Sequence, residues 1–170
     1  MEEKDGIALG FFHPPFHECS LDSKEKSTYT LMRCFRPGKS PLQDQAKKAA
    51  PGQAKEAAQQ LKELGADSIC VKDMAGLMTP YRAERIVKAL NAEIGLPVHL
   101  HCHYVGGMAP ANYLKAAEAG VSIVDTASAP LAFGNPQPAV EMIVAALQES
   151  RYDTGLDLDL LFEIAEYWEE

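Results

Sequence analysis

The chain has no block of basic residues. Its 16 Lys and Arg stand against 24 Asp and Glu, a formal net charge of −8. A phosphate-binding surface needs clustered Lys and Arg, so nucleic acid is excluded as a partner. No apolar run approaches the length of about 20 residues that a membrane-spanning helix needs. The N-terminal MEEKDGIALGFF carries acid where a secretory signal carries base. A cytoplasmic chain is the expectation. Cysteine is sparse: Cys19, Cys34, Cys70 and Cys102 form no CxxC pair. Cys70 and Cys102 fall inside predicted strands and read as small buried apolar groups, in keeping with a reducing compartment. Histidine is scarcer than the acidic residues by far, with five in 170 residues, which makes its placement informative.

What remains is an ordinary soluble composition, 46% hydrophobic and 24% charged, in a chain long enough for one domain with a core. Residues 1–50 show no sustained period. Gly, Pro and Ser are scattered through FFHPPFHECSLDSKEKS and FRPGKSPLQ, which predicts an irregular, unassigned segment. His13, His17 and Cys19 surround Pro14-Pro15, but their spacing matches no metal site, and a solvated Pro-rich loop is the better reading.

From Pro51 the pattern changes. QAKEAAQQLKEL (53–64) is built of strong helix formers with Ala54, Ala57, Ala58, Leu61 and Leu64 at helical spacing, and Gly65 stops it. DSICVK (67–72) reads as a short buried strand. After a loop around Gly76, Thr79 caps a helix with Pro80 in its first turn, running to Gly95. A second strand spans 97–103, a third helix ends at Gly120, and VSIVDT (121–126) is the third strand. The loop SAPLAFGNPQP, the helix AVEMIVAALQES and an amphipathic helix over 156–168 complete the chain. Alternation of helix and strand at about thirty residues per unit predicts parallel strands with right-handed crossovers. Both a doubly wound sheet and a piece of a (β/α)8 barrel fit. A complete barrel needs about 250 residues, so the expected fold class is α/β, a partial barrel.

The second strand, VHLHCHY, concentrates three histidines at alternate positions, His99, His101 and His103. In a strand all three share one face, and two imidazoles on one face can converge on a metal ion. In both architectures functional groups gather at the C-terminal strand ends. Lys72-Asp73, His101/His103 and Asp125-Thr126 all fall there. The alternative for Lys72 is an ion pair with Asp73 or Asp125. The alternative for Asp125 and Thr126 is capping of loop amides.

The segments ADSICVKDMAGLMTPYRAERIVKAL, LPVHLHCH, KAAEAGVSIVDTA and YDTGLDLDLLFEIAEYW resemble the carboxyltransferase domain of biotin-dependent enzymes. That family includes pyruvate carboxylase, the oxaloacetate decarboxylase alpha subunit and the transcarboxylase core subunit. The resemblance runs from about Gly65 to the C-terminus. It implies that 51–170 is the C-terminal half of a carboxyltransferase (β/α)8 barrel. It implies that Lys72 is a catalytic lysine which, when carboxylated, joins His101 and His103 as a metal ligand, with Asp73, Asp125 and Thr126 at the active-site edge. His99 falls on the same face but deeper, and is not assigned as a ligand. The implied cofactors are a divalent metal (Zn, Mn or Co) and biotin on a separate carrier. The implied partners are a biotin carrier protein or biotin carboxylase subunit and a small α-keto acid. The implied chemistry is carboxyl transfer between biotin and pyruvate or oxaloacetate. Nothing in residues 1–50 resembles the family's first barrel strand, which supplies an aspartate ligand, and YVGGM follows the histidines where many members read otherwise. The alternatives are a non-catalytic remnant serving in assembly and a related metal-dependent acyl-CoA lyase. Open strand edges in such a half barrel predict self-association.

Overall fold

The computed structural model describes residues 54–169 in full and residues 8–11, 29–34 and 47–49 as strand backbone. In chain order the elements are β1 (Ala8–Phe11), β2 (Tyr29–Cys34), β3 (Lys47–Ala49), α1 (Ala54–Glu63), β4 (Ser68–Asp73), α2 (Pro80–Glu93), β5 (Val98–Cys102), α3 (Ala109–Glu118), β6 (Ile123–Thr126), a 3-10 turn at Ala129–Leu131, α4 (Val140–Leu147) and α5 (Leu158–Glu169). The strands form one six-stranded sheet in the order β1-β6-β5-β4-β2-β3.

The three expected strands are present and parallel. β4 pairs with β5 from Ile69↔Val98 through Asp73↔Cys102, and β5 pairs with β6 through His99↔Ile123 and Leu100↔Val124. The first fifty residues depart from the expected irregular chain by contributing three short strands. β1 lies parallel against β6, from Ala8↔Ile123 to Phe11↔Thr126. β6 is therefore covered on both sides, by β1 and by β5. β2 pairs antiparallel with β4, and β3 antiparallel with β2. The cluster of His13, His17 and Cys19 lies outside the described residues.

Alternation divides the central strands into two faces. Ile69, Val71, Val98, Leu100, Cys102 and Val124 belong to the hydrophobic core and are buried with Ala58 and Leu61 of α1, Ala83, Val87 and Leu90 of α2, and Tyr113 and Ala116 of α3. In α1 the apolar face read from the sequence packs here through Ala54, Ala57, Ala58 and Leu61, whereas Leu64, one residue past the helix, is 48% exposed. Fully burying a side chain such as Leu100 stabilises by about 1.5–3 kcal/mol. The other face of the same strands carries Cys70, Lys72, His99, His101, Ile123 and Asp125. One face thus holds the sheet to its helices, and the opposite face carries the polar groups. Cys70 and Cys102 are both buried, as expected.

Thr79 stands at the N-cap of α2 with extended backbone, but its side chain makes no capping bond. Its carbonyl accepts from the amides of Arg82 and Ala83 instead.

Candidate functional site

The register of the parallel ladder sets the site. Lys72 and His101 are direct partners across β4 and β5, so their side chains leave the sheet on the same face. Asp125, two residues past Ile123 on β6, emerges on that face beside them. Its carboxylate spans two imidazoles: Oδ1 lies 2.7 Å from His99 Nε2 and Oδ2 lies 2.5 Å from His101 Nδ1. His101 is almost fully buried, at 1% exposure.

The charge states follow from these contacts. Burial alone would raise the Asp125 carboxyl. The hydrogen bonds from His101 and His99, with their charge, outweigh it and bring the group down to about 2. His101 is lowered from its ordinary value, first by burial and further by the nearby Lys72 charge, against the opposing pull of Asp125. The pair at neutral pH is an ionised carboxylate accepting from the Nδ1–H of a neutral imidazole. That makes Nε2 of His101 an acceptor, and the Gln137 amide nitrogen stands 3.1 Å from it.

His103 follows the end of β5. Its backbone amide donates to Asp73 O at 3.0 Å, and its Nδ1 donates to the carbonyl of Asn135. Both histidines therefore have Nδ1 bonded to an oxygen acceptor, which makes Nε2 the acceptor nitrogen of each ring. Their ring centroids are 5.1 Å apart. A metal-ligating histidine characteristically donates its other ring N–H to a carboxylate or a carbonyl, and both rings meet that condition. Among the described residues no group of three or more His, Cys, Asp and Glu comes together that could hold a metal. What the strand ends bring together is two imidazoles with Lys72 in register beside His101.

The other edge candidates lie elsewhere. Asp73 points to the face opposite Lys72, where its carboxylate accepts from the amides of Leu77 at 3.1 Å and Met78 at 2.7 Å. Its role is to brace the β4–α2 loop. Thr126 is fully buried on the face opposite Asp125, and its hydroxyl has no hydrogen-bond partner among the described residues. His99 joins the cluster through Asp125 and lies deeper on the strand than His101.

Three contributors were not singled out from the sequence. Gln137 and Asn135 come from the segment 127–139, which looked like a Pro-rich loop. A parallel bridge between Ala127 and Ala139 closes that segment. The amide of Tyr104 donates to Pro136 O at 2.9 Å, and Tyr104 meets Phe133 edge-on at 5.3 Å. Phe133 sits at φ 71°, a left-handed conformation unusual for a bulky residue, as the loop turns back toward β5. Polar residues on both sides of Pro136 were the only signal available. The third contributor is Tyr113, whose hydroxyl donates to Asp125 O at 2.7 Å.

A family model described as HMGL-like matches residues 40–167. The chain belongs to the HMGL-like family. Over 113 residues this HMGL-like chain is 54% identical to a pyruvate carboxylase subunit of Methanocaldococcus jannaschii, covering 66% of the chain and 20% of that relative. It is 39% identical over 111 residues to the methylmalonyl-CoA carboxyltransferase 5S subunit of Propionibacterium freudenreichii, covering 64% of the chain and 22% of the relative. Among solved structures it is similar to the carboxyl transferase domain of Rhizobium etli pyruvate carboxylase with pyruvate and biocytin. That match has a TM-score of 0.68 and 42% identity, over 71% of this chain and 20% of the other. The partial (β/α)8 barrel expected from the sequence is the fold that this similarity supports. The HMGL-like chain spans about a fifth of the length of these relatives. No helix among the described residues is long and apolar enough to cross a membrane.

Proposed function

We propose that the chain is the metal-bearing part of a biotin-dependent carboxyltransferase, moving a carboxyl group between biotin and an α-keto acid such as pyruvate or oxaloacetate. In this reading residues 51–170 are the C-terminal half of the barrel, and 1–50 remain unassigned beyond their three strands. His101 and His103 hold a divalent ion (Zn, Mn or Co) through Nε2, and Lys72, carboxylated at its amine, supplies an oxygen ligand that an ammonium cannot. The bound ion would act as a Lewis acid on the keto acid and its enolate. The single observation that carries the reading is the matched pair of histidines, each with Nδ1 tied to an oxygen so that Nε2 is its ligating nitrogen, beside a Lys72 in register with His101.

The chain's own residues have defined parts. Asp125 fixes the tautomer and orientation of His101, with Nδ1 protonated and Nε2 the ligating nitrogen. Asn135 does the same for His103. Gln137, 3.1 Å from His101 Nε2, must release that nitrogen when an ion binds, and its amide is then available to a bound oxygen. The partners in this reading are a biotin carrier protein or biotin carboxylase subunit, the compartment is the cytoplasm, and self-association would cover the sheet edges at β1 and β3.

The test is oxaloacetate decarboxylation with free biotin, measured with added Mn2+ for the native chain and for Lys72→Ala. Biotin-stimulated turnover that Lys72→Ala abolishes supports the reading. Turnover indifferent to both biotin and Lys72 overturns it.

A further inference from the structure

Tyr113 reaches the seam between β5 and β6, and the chemistry above does not use it. It comes from α3, on the helix-packed face of the sheet, and is 2% exposed. Its hydroxyl enters the seam between the two strand ends. It accepts from the Cys102 amide at 3.0 Å, donates to Asp125 O at 2.7 Å and lies 3.4 Å from Cys102 O.

The ladder explains why this position matters. Odd-numbered backbone groups of β5 serve β4: Pro97 O accepts from Ile69, and the His103 amide donates to Asp73. Even-numbered groups serve β6: Val98 O accepts from Ser122. The Cys102 amide thus faces β6, yet it donates to a tyrosine. The β5–β6 register stops at Leu100↔Val124, whereas β4–β5 continues to Asp73↔Cys102. A side-chain hydroxyl stands where a rung of the sheet would be, directly behind Asp125. On the opposite face, the Asp125 carboxylate spans His99 and His101.

We propose that Tyr113 is a positioning residue of the His101–Asp125 pair: its hydroxyl replaces a rung of the β5–β6 ladder and holds the strand ends at the separation that lets one carboxylate reach both His99 and His101. A phenylalanine would fill the same space but leave a buried amide and a buried carbonyl without their shared partner. The strand ends would then close on one another and carry Asp125 with them. Burial holds the Tyr113 hydroxyl in its protonated form, so it donates across the whole accessible pH range. The consequence for metal binding rests on the assignment of His101 as a ligand, but the positioning itself does not.

The test is proton NMR of the metal-free full chain. A hydrogen-bonded Nδ1–H of His101 gives a downfield, slowly exchanging resonance, assigned by its loss in His101→Gln and its survival in His99→Gln, since Asp125 meets both rings. In Tyr113→Phe that resonance is expected to vanish or to exchange at least tenfold faster. In Asn112→Ala it is expected to stay. Asn112 is the neighbouring buried residue of α3, bonded to Met78 O at 3.1 Å and lying 3.8 Å from Cys102 Sγ, so it touches β5 by side chain without entering the β5–β6 rung. An unchanged resonance in folded Tyr113→Phe overturns the proposal, as does equal loss in Asn112→Ala. Should Tyr113→Phe not fold, the native chain decides: a slowly exchanging Tyr113 hydroxyl proton with a cross-peak to the Cys102 amide is required, and its absence overturns the proposal. Titration with Zn2+ alone should show binding about tenfold weaker in Tyr113→Phe. A native chain that binds no Zn2+ removes the metal assignment and leaves the NMR result to judge Tyr113.

Discussion

A Cβ placed on Gly106 would collide with the carbonyl oxygen of Gly76. The loop after β4 and the loop after β5 are thus in direct backbone contact. Three residues before each glycine, the His103 amide is bonded to Asp73 O, so the joint and the histidine share one short stretch of backbone. Gly106→Ala puts a methyl group against backbone that has no rotamer to yield. It is expected to cost about 1–3 kcal/mol and to loosen His103. Gly107→Ala meets no atom within 4 Å and is strained only by its φ of +70°, for about 1 kcal/mol. Urea unfolding of the two variants checks the order. A Gly106→Ala chain as stable as Gly107→Ala would contradict the contact.

Stability should fall on the acid side in two stages. Asp125 titrates at about 2 in the folded chain against an ordinary 3.8. The unfolded chain therefore takes up its proton first as pH falls, and this carboxylate's contribution, complete above pH 3.8, is lost toward pH 2. The loss is on the order of 2 kcal/mol. His101 acts with the same sign and earlier. Its folded value lies below 6.5, so the unfolded imidazole charges first and stability begins to decline as pH drops through 6.5. Denaturant titrations between pH 8 and pH 2 should show both stages in the native chain, and Asp125→Asn should lack the lower one.

Glu141 is buried on α4, with Oε1 accepting from the Ala129 amide at 3.2 Å and the Ser128 hydroxyl at 3.4 Å, while Oε2 has no partner among the described residues. Glu141→Ala leaves the amide and the hydroxyl without their acceptor and should cost about 1–3 kcal/mol. Glu141→Gln keeps the acceptor oxygen, so thermal melting should place it close to the native chain and above Glu141→Ala. A Glu141→Ala chain that melts with the native one would show that the anchor of the Ala129–Leu131 turn is unimportant.

The sequence disclosed the site most clearly where one local period governed both structure and chemistry. Alternation in VHLHCH placed His99 and His101 on the polar face, and the same alternation in β4 and β6 brought Lys72 and Asp125 to that face in register. Asp73 and Thr126 were grouped with them because they stand at strand ends. Yet one residue's step along a strand reverses its face, and both turn away, into the β4–α2 loop and into buried space. Asp125 was read as a cap or an edge residue because a carboxylate's partners on a neighbouring strand depend on register, which no single strand encodes. Gln137, Asn135 and Tyr113 stayed hidden for the same reason. Each reaches the site across more than ten positions of sequence, through a loop path or a helix rotation that only the assembled sheet fixes. The strands of the first fifty residues carry no sustained period, and their pairing with β6 and β4 is a tertiary choice.

The central claim is that His101 and His103 are ligands of one divalent ion with Lys72 beside them. It is tested most directly by bound metal per chain in bicarbonate-containing buffer, compared between the native chain and His101→Ala/His103→Ala. With two imidazoles as donors and a third supplied only if Lys72 is carboxylated in bicarbonate, the native chain should bind Zn2+ or Mn2+ measurably and below one ion per chain after purification, and the double variant should lose that metal by more than tenfold. Equal metal in the two chains would contradict the account.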